Sequence, residues 1–234
     1  MLGYYYGFDM TYLVLVVPAL LLALWAQMRV KGTFSKYSTV YNMRGYTGEQ
    51  AARAILDRFG LTQVRIEHIS GSMTDHFDPR TNVVRLSDTV YGSTSVAAIG
   101  VAAHEVGHAI QYSVGYAPMK LRAAIIPLTN IGSQLAMPLI LLGILFNSSN
   151  LAQIGIVCFS AAVAFQIVTL PVEFNASNRA LKILDSTGML TEEEHRGAKK
   201  VLSAAAMTYV AATAVALAQL LRLVILFGGR RRDE

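Results

Sequence analysis

Charged residues are absent from four long stretches of this chain, and most of its polar residues fall in the segments between them. Residues 11–28, 123–147 and 151–170 carry no Asp, Glu, Lys or Arg. About 20 apolar residues rising 1.5 Å each cross the hydrocarbon core of a bilayer, so these runs predict membrane helices over 11–29, 120–147 and 151–171. A fourth run, 202–221, is also uncharged but rich in Ala. It continues through Arg222 into Leu223 to Phe227, and it predicts a helix over 201–228 that crosses the membrane or packs within it. Residues 1–10 read as a tail whose Tyr4, Tyr5, Tyr6 and Phe8 suit a membrane interface. The absence of a basic start argues for an uncleaved anchor rather than a signal peptide. Residues 229–234 read as a basic tail.

Between the first two runs lies a mixed segment, 30–119, whose pattern predicts helix, strand, strand, helix. Thr47 and Gln50 have capping-box spacing, and the helix they begin ends near Phe59 with Gly60 as its stop. Val64 to Ile69 alternates in polarity as a strand does. Gly71 to Arg80 reads as turn chemistry, and Thr81 to Leu86 as a second β-branched run. The strand residues Asn82, Val83, Val84, Arg85 and Leu86 are expected to form an exposed edge that could hold an extended peptide by main-chain pairing. Ser93 to Tyr112 is free of proline and reads as a helix beginning in solvent. Ile99, Ala103, Val106 and Ile110 recur on one of its faces.

Composition and charge sharpen this outline. The chain is 53% hydrophobic and carries a net charge of +5. Lys31, Lys36, Arg44, Lys120, Arg122, Arg179 and Lys182 all flank run ends on one side, whereas residues 1–10 and 148–150 have no Lys or Arg. Basic loops mark the cytoplasmic side. The charges form no continuous tract, so lipid headgroups account for them and nucleic acid does not. The single cysteine, Cys158, excludes an intramolecular disulfide.

The densest chemistry is His104-Glu105-Val106-Gly107-His108. On a helix, positions four apart share a face, so His104 and His108 can chelate one zinc ion while Glu105 acts on a water beside it. A catalytic zinc site takes three protein ligands and keeps a position open. His68, His76, His195 and the acids of the polar segments are the candidates for the third, and Glu173, just behind Pro171, stands out among them. Glu192, Glu193 and Glu194 read as a solvated helix start, with Thr191 and Glu194 as a second capping box.

His-Glu-Val-Gly-His on a helix, two membrane runs and then Glu173-Phe174-Asn175-Ala176-Ser177 resemble the YugP-type bacterial integral-membrane neutral zinc metallopeptidases. The segments Thr74 to Arg80 and Arg85 to Tyr91 carry the same resemblance, which covers nearly the whole chain. The arrangement is also similar to HtpX-like and CAAX-protease membrane gluzincins. The resemblance implies a mainly α polytopic membrane protein with a small β element and a zincin-like (gluzincin) core. Its domain would be 30–119, with a third-ligand helix and connector over 172–200. It implies one catalytic zinc ion held by His104, His108 and Glu173, with Glu105 as general base. The substrate would be a polypeptide, in or near the bilayer. Where the wider gluzincin pattern has an aspartate four residues after the ligand glutamate, this chain has Ser177, which can still hydrogen-bond a ligand. Arg179, Tyr91 and His195 are candidate donors to the transition state.

Three other readings have weaker support. A site-2-type intramembrane protease would draw its third ligand from a Leu-Asp-Gly motif, which Leu184-Asp185-Ser186 echoes, but the charged segment before His104 opposes it. A zinc-dependent scaffold or chaperone would not need Glu105. A transporter would place ionisable residues inside its spans. The charge pattern yields a test of orientation with the polar chemistry at the cytoplasmic face. With Cys158 removed, an impermeant thiol reagent applied to intact cells labels a cysteine at position 149 and spares one at position 80. The opposite labelling inverts the topology.

Overall fold

The computed structural model describes residues 10–227. The expectations for the aromatic tail and for Arg230, Arg231 and Arg232 lie outside these residues. A short π-helical turn, Tyr12–Val16, runs into α1 (Val17–Ser38), followed by α2 (Gly48–Arg58). Three strands come next, β1 (Arg65–Ile69), β2 (His76–Asp78) and β3 (Val83–Ser87). The remainder is helical: α3 (Val96–Ser113), α4 (Ala117–Leu145), α5 (Ser149–Thr187) and α6 (Glu192–Phe227). The fold is mainly α with one small sheet. Four helices are long and apolar enough to cross a membrane: Tyr12–Ser38, Ala117–Leu145, Ser149–Thr187 and Glu192–Phe227. The Ala-rich fourth has the highest mean hydropathy of the four, 2.2.

The described chain gathers into two compact units, one of 10–26, 121–170 and 208–227 and the other of 27–120 and 171–207. The first is purely helical. Its outward side chains are large and apolar, among them Leu21, Leu128, Ile131, Ile144 and Val157, each more than half exposed. That surface suits lipid, which imposes no cost for exposing it. Inside this unit α4 and α5 form a hairpin with small residues at the contact. A Cβ on Gly143 would lie 2.6 Å from the Ala152 nitrogen, and one on Gly155 would lie 2.8 Å from the Ala136 carbonyl oxygen. Small residues let membrane helices approach backbone to backbone, where dispersion replaces the hydrophobic effect as the attraction.

The second unit is built around α3. Ser95 caps this helix by accepting from the Ala98 amide at 3.2 Å. Its first turn, Val96 to Ile99, is fully buried, so the helix does not begin in solvent as its flanking polar residues suggested. It is apolar on nearly every face because α2, the sheet, α5 and α6 surround it, with Ile55, Leu56, Leu86, Leu184, Ala198 and Leu202 in the shared core. The capping box of α2 forms as expected, with Thr47 and Gln50 exchanging side-chain to backbone bonds.

Two corrections concern the sheet. Gly71 to Arg80 contains a strand, β2, and the strand order is β1-β3-β2. β3 is therefore central, parallel to β1 and antiparallel to β2. Asn82, Val83, Val84, Arg85 and Leu86 offer no exposed edge. The physical cause is non-local pairing, since β2, in the segment that read as turn, supplies β3 with its second neighbour. Val83 and Val84 are adjacent apolar residues on opposite faces, and both are fully buried. Such a run marks a strand covered on both sides. Arg85 ties the sheet together, reaching Glu67 on β1 at 3.3 Å and Asp78 on β2 at 3.1 Å. The Asp78 carboxyl is held well below its ordinary range, chiefly by the Thr81 hydroxyl and the Arg85 guanidinium.

Two further readings change. The third membrane run and the helix carrying Glu173 are not separate elements divided at 171, because α5 runs unbroken from Ser149 to Thr187. Glu194 is not solvated. It is buried and accepts from the Thr191 amide and from the Met43 amide, both at 2.8 Å, while Glu192 and Glu193 remain exposed. The small-residue hairpin sets an expectation for the helical unit. Gly155→Leu lowers the melting temperature and the monodisperse yield in detergent, whereas the lipid-facing change Leu128→Ala leaves both near those of the unmodified chain.

Candidate metal centre

α3 and α5 meet at Gly107. A Cβ there would sit 2.8 Å from the Ala176 carbonyl oxygen and 3.3 Å from two further backbone atoms, a contact that only glycine permits. The crossing brings the residues flanking Gly107 against those flanking Ala176. His104 and His108 from α3 face Glu173 and Ser177 from α5.

The three donor atoms converge. Glu173 Oε2 lies 3.3 Å from His104 Nε2 and 3.5 Å from His108 Nε2. Among the described residues, His104, His108 and Glu173 form the one group of three His, Cys, Asp or Glu side chains with ligand atoms all within 4.8 Å of one another. Ligand atoms held at roughly 2.0–2.1 Å around a tetrahedral zinc ion stand about 3.3 Å apart, so the carboxylate's two separations fit such an ion. The other ring nitrogens are already engaged. His104 Nδ1 is 3.1 Å from Ser177 Oγ, and His108 Nδ1 is 3.0 Å from Gln111 Oε1. Both Nε2 atoms are thereby presented to the carboxylate, an outer layer of contacts typical of metal-binding histidines.

The electrostatics also suit a cation. Glu105 and Glu173 are both buried, and their carboxylates are near enough for one to act on the other. Burial pushes the Glu105 carboxyl up from its ordinary value, and the nearby carboxylates of Glu173 and Asp75 add to the rise while His104 and His108 oppose it. For His108, burial disfavours the imidazolium, but Glu173, Glu105 and Gln111 together outweigh it and the pKa moves up. A rise despite burial reflects the negative potential of the carboxylates around the ring, Glu173 and Glu105.

The remaining candidates lie elsewhere. His68 Nε2 contacts Asp88 Oδ1 at 2.6 Å, and its ring packs near that of Tyr91, with centroids 5.3 Å apart. His76 Nδ1 is 2.8 Å from the Thr74 carbonyl, and His195 Nε2 is 3.0 Å from the Leu181 carbonyl. Asp185, the residue a site-2-type arrangement would need, is exposed on α5. Arg179 donates from Nε to Asn175 Oδ1 at 2.7 Å. Gln111 and Asn175 escaped the sequence reading as contributors to this centre. Helical spacing offered a signal for Gln111, which lies three residues after His108 and so shares its face; Asn175, two residues after Glu173, had no such signal.

A helical membrane protein with a zinc-peptidase-like cluster in its second unit is the class that fold and site define. The comparisons with known proteins agree with it. Residues 12–228 match the family model described as "Putative neutral zinc metallopeptidase". The chain is 51% identical over 225 residues to the "Putative membrane protease YugP" of Bacillus subtilis (strain 168), a match covering 96% of this chain and 100% of that protein. No solved structure matches it. The chain belongs to this neutral zinc metallopeptidase family.

The helix crossing sets an expectation of its own. Gly107→Ala must shift α5 away from α3, at a cost of about 1–3 kcal/mol for an overpacked contact. Its zinc content after dialysis falls along with its melting temperature. Gly32→Ala, whose added Cβ would meet nothing within 4 Å, leaves both unchanged.

Proposed function

We propose that this chain is a zinc-dependent membrane endopeptidase of the gluzincin type that hydrolyses peptide bonds of membrane or membrane-proximal proteins. The observation that carries the reading is the convergence of His104 Nε2, His108 Nε2 and Glu173 Oε2, with Glu105 next to a ligand on the same buried helix. His104, His108 and Glu173 would hold a single zinc ion. Zinc supplies a lowered water pKa and polarises a substrate carbonyl.

The chain's own residues do the rest. Glu105 takes a proton from the attacking water onto its carboxylate and returns it to the leaving amine. Its burial helps, because a carboxyl with a raised pKa holds a proton more readily near neutral pH than an exposed one does. Ser177 and Gln111 keep the two imidazoles aimed. β2 is an edge of the sheet and packs toward α3, where Phe77 and Tyr112 lie with ring centroids 5.9 Å apart. An extended peptide pairing with the sheet beside the centre would use that strand. The basic residues that flank the membrane runs support a cytoplasmic location for the centre.

The exposed position of Asp185 weighs against the site-2-type alternative, and the buried glutamate between the two histidines weighs against a scaffold that only binds zinc. One set of variants tests the proposal in purified full-length protein. Glu105→Gln retains about one zinc per chain and loses cleavage of a membrane-protein substrate by a factor of at least about 10², in line with a lost general base. Glu173→Ala loses zinc itself, whereas Asp185→Ala and His195→Ala keep it. Retained hydrolysis in Glu105→Gln, or zinc loss on Asp185→Ala in place of Glu173→Ala, rejects the assignment.

A further inference from the structure

We propose that Gln111, oriented by Asn175 and Arg179, is a positioning residue that sets the tautomer of His108 and ties it to the helix bearing Glu173. The inference rests on the zinc reading above and deepens it.

Four contacts carry it. Arg179 Nε donates to Asn175 Oδ1 at 2.7 Å, and Gln111 Nε2 donates to that same oxygen at 3.0 Å. Gln111 Nε2 also donates to the Val172 carbonyl at 2.8 Å, and Gln111 Oε1 lies 3.0 Å from His108 Nδ1. The direction of each bond follows from chemistry. A guanidinium only donates, so the Asn175 atom facing Arg179 is the acceptor oxygen. A backbone carbonyl only accepts, so the Gln111 atom facing Val172 is the amide nitrogen. Both anchors independently give the same amide orientation, which turns Gln111 Oε1 toward His108. Nδ1 of His108 must then carry a proton, so the ring nitrogen left free to bind an ion is Nε2, the one that faces Glu173. Ser177 imposes no such rule on His104, because a hydroxyl can donate or accept.

Gln111 is fully buried, and its amide spans the two helices that supply the ligands. On α3 it holds His108. On α5 it holds the backbone of Val172, the residue before Glu173. No other side chain type of this length both accepts from an imidazole and donates to two oxygens, since glutamate lacks the donors and leucine lacks both functions. Loss of such an outer contact typically lowers metal affinity about 10–100-fold.

The test is zinc affinity of the full chain in detergent, read by competition with a chromophoric chelator, with melting temperature and monodispersity recorded for each variant. Gln111→Leu and Asn175→Leu bind zinc about 10–100-fold more weakly. Asn175→Asp, which keeps an oxygen for both Arg179 and Gln111, stays within about threefold of the unmodified chain. A side chain that merely fills space would show the reverse preference, with Leu tolerated as well as Asp. The proposal is overturned if Gln111→Leu keeps unmodified affinity, or if Asn175→Asp and Asn175→Leu lose it equally. An unmodified chain that takes up no zinc rejects the zinc reading itself, and this inference with it.

Discussion

The second unit depends on one close approach, the crossing of α3 and α5 at Gly107. A side chain there would collide with the Ala176 carbonyl, and every feature of the metal centre is measured from that contact. One turn to either side along α3 lie His104 and Gln111. Along α5, Glu173 and Arg179 lie about one turn to either side of Ala176, and Asn175 and Ser177 are its immediate neighbours. Interiors packed at crystal-like density do not deform continuously, so the glycine sets the ligand distances as firmly as the ligands themselves.

Holding Glu173 in this place is costly for a carboxylate. It is 3% exposed, and a charge removed from water requires partners of opposite sign to compensate. The two imidazoles supply part of that compensation, and a divalent ion would supply more. Burial also raises the pKa of Glu105, so two buried acids of similar chemistry differ in what surrounds them: Glu173 faces two imidazoles, and Glu105 does not.

The polar contacts around the centre run from α3 to α5 through Gln111, Asn175 and Ser177, and the sheet stands apart from them. Arg85 links β1 to β2 across β3, and Asp75 accepts from the Ser87 amide and hydroxyl at the end of β3. These bonds brace the sheet beneath α3, and of their members Asp75 also acts on the centre, through its charge on Glu105. His68 contacts Asp88, His76 the Thr74 carbonyl and His195 the Leu181 carbonyl, all away from the three converging donor atoms.

Local chemistry written in the sequence determined a good deal. H-E-x-x-H at helical spacing put His104, Glu105 and His108 together, because an i, i+4 pair shares a face in any helix. The charge-free runs determined four long apolar helices, and Thr47 with Gln50 determined where α2 starts. Glu173 was visible as the charged residue just past an apolar run. Tertiary structure decided the rest. Helix periodicity says nothing of what covers the far side, so α3 read as amphipathic and proved enclosed. Strand pairing is non-local, so β3 read as an edge until β2 supplied its second neighbour. The third membrane run read as ending at 171, yet α5 continues through Pro171 to Thr187. The Gln111 to Asn175 bond joins residues 64 apart, and no spacing rule reaches that far. Its existence follows from the crossing at Gly107, which a sequence records only as a glycine.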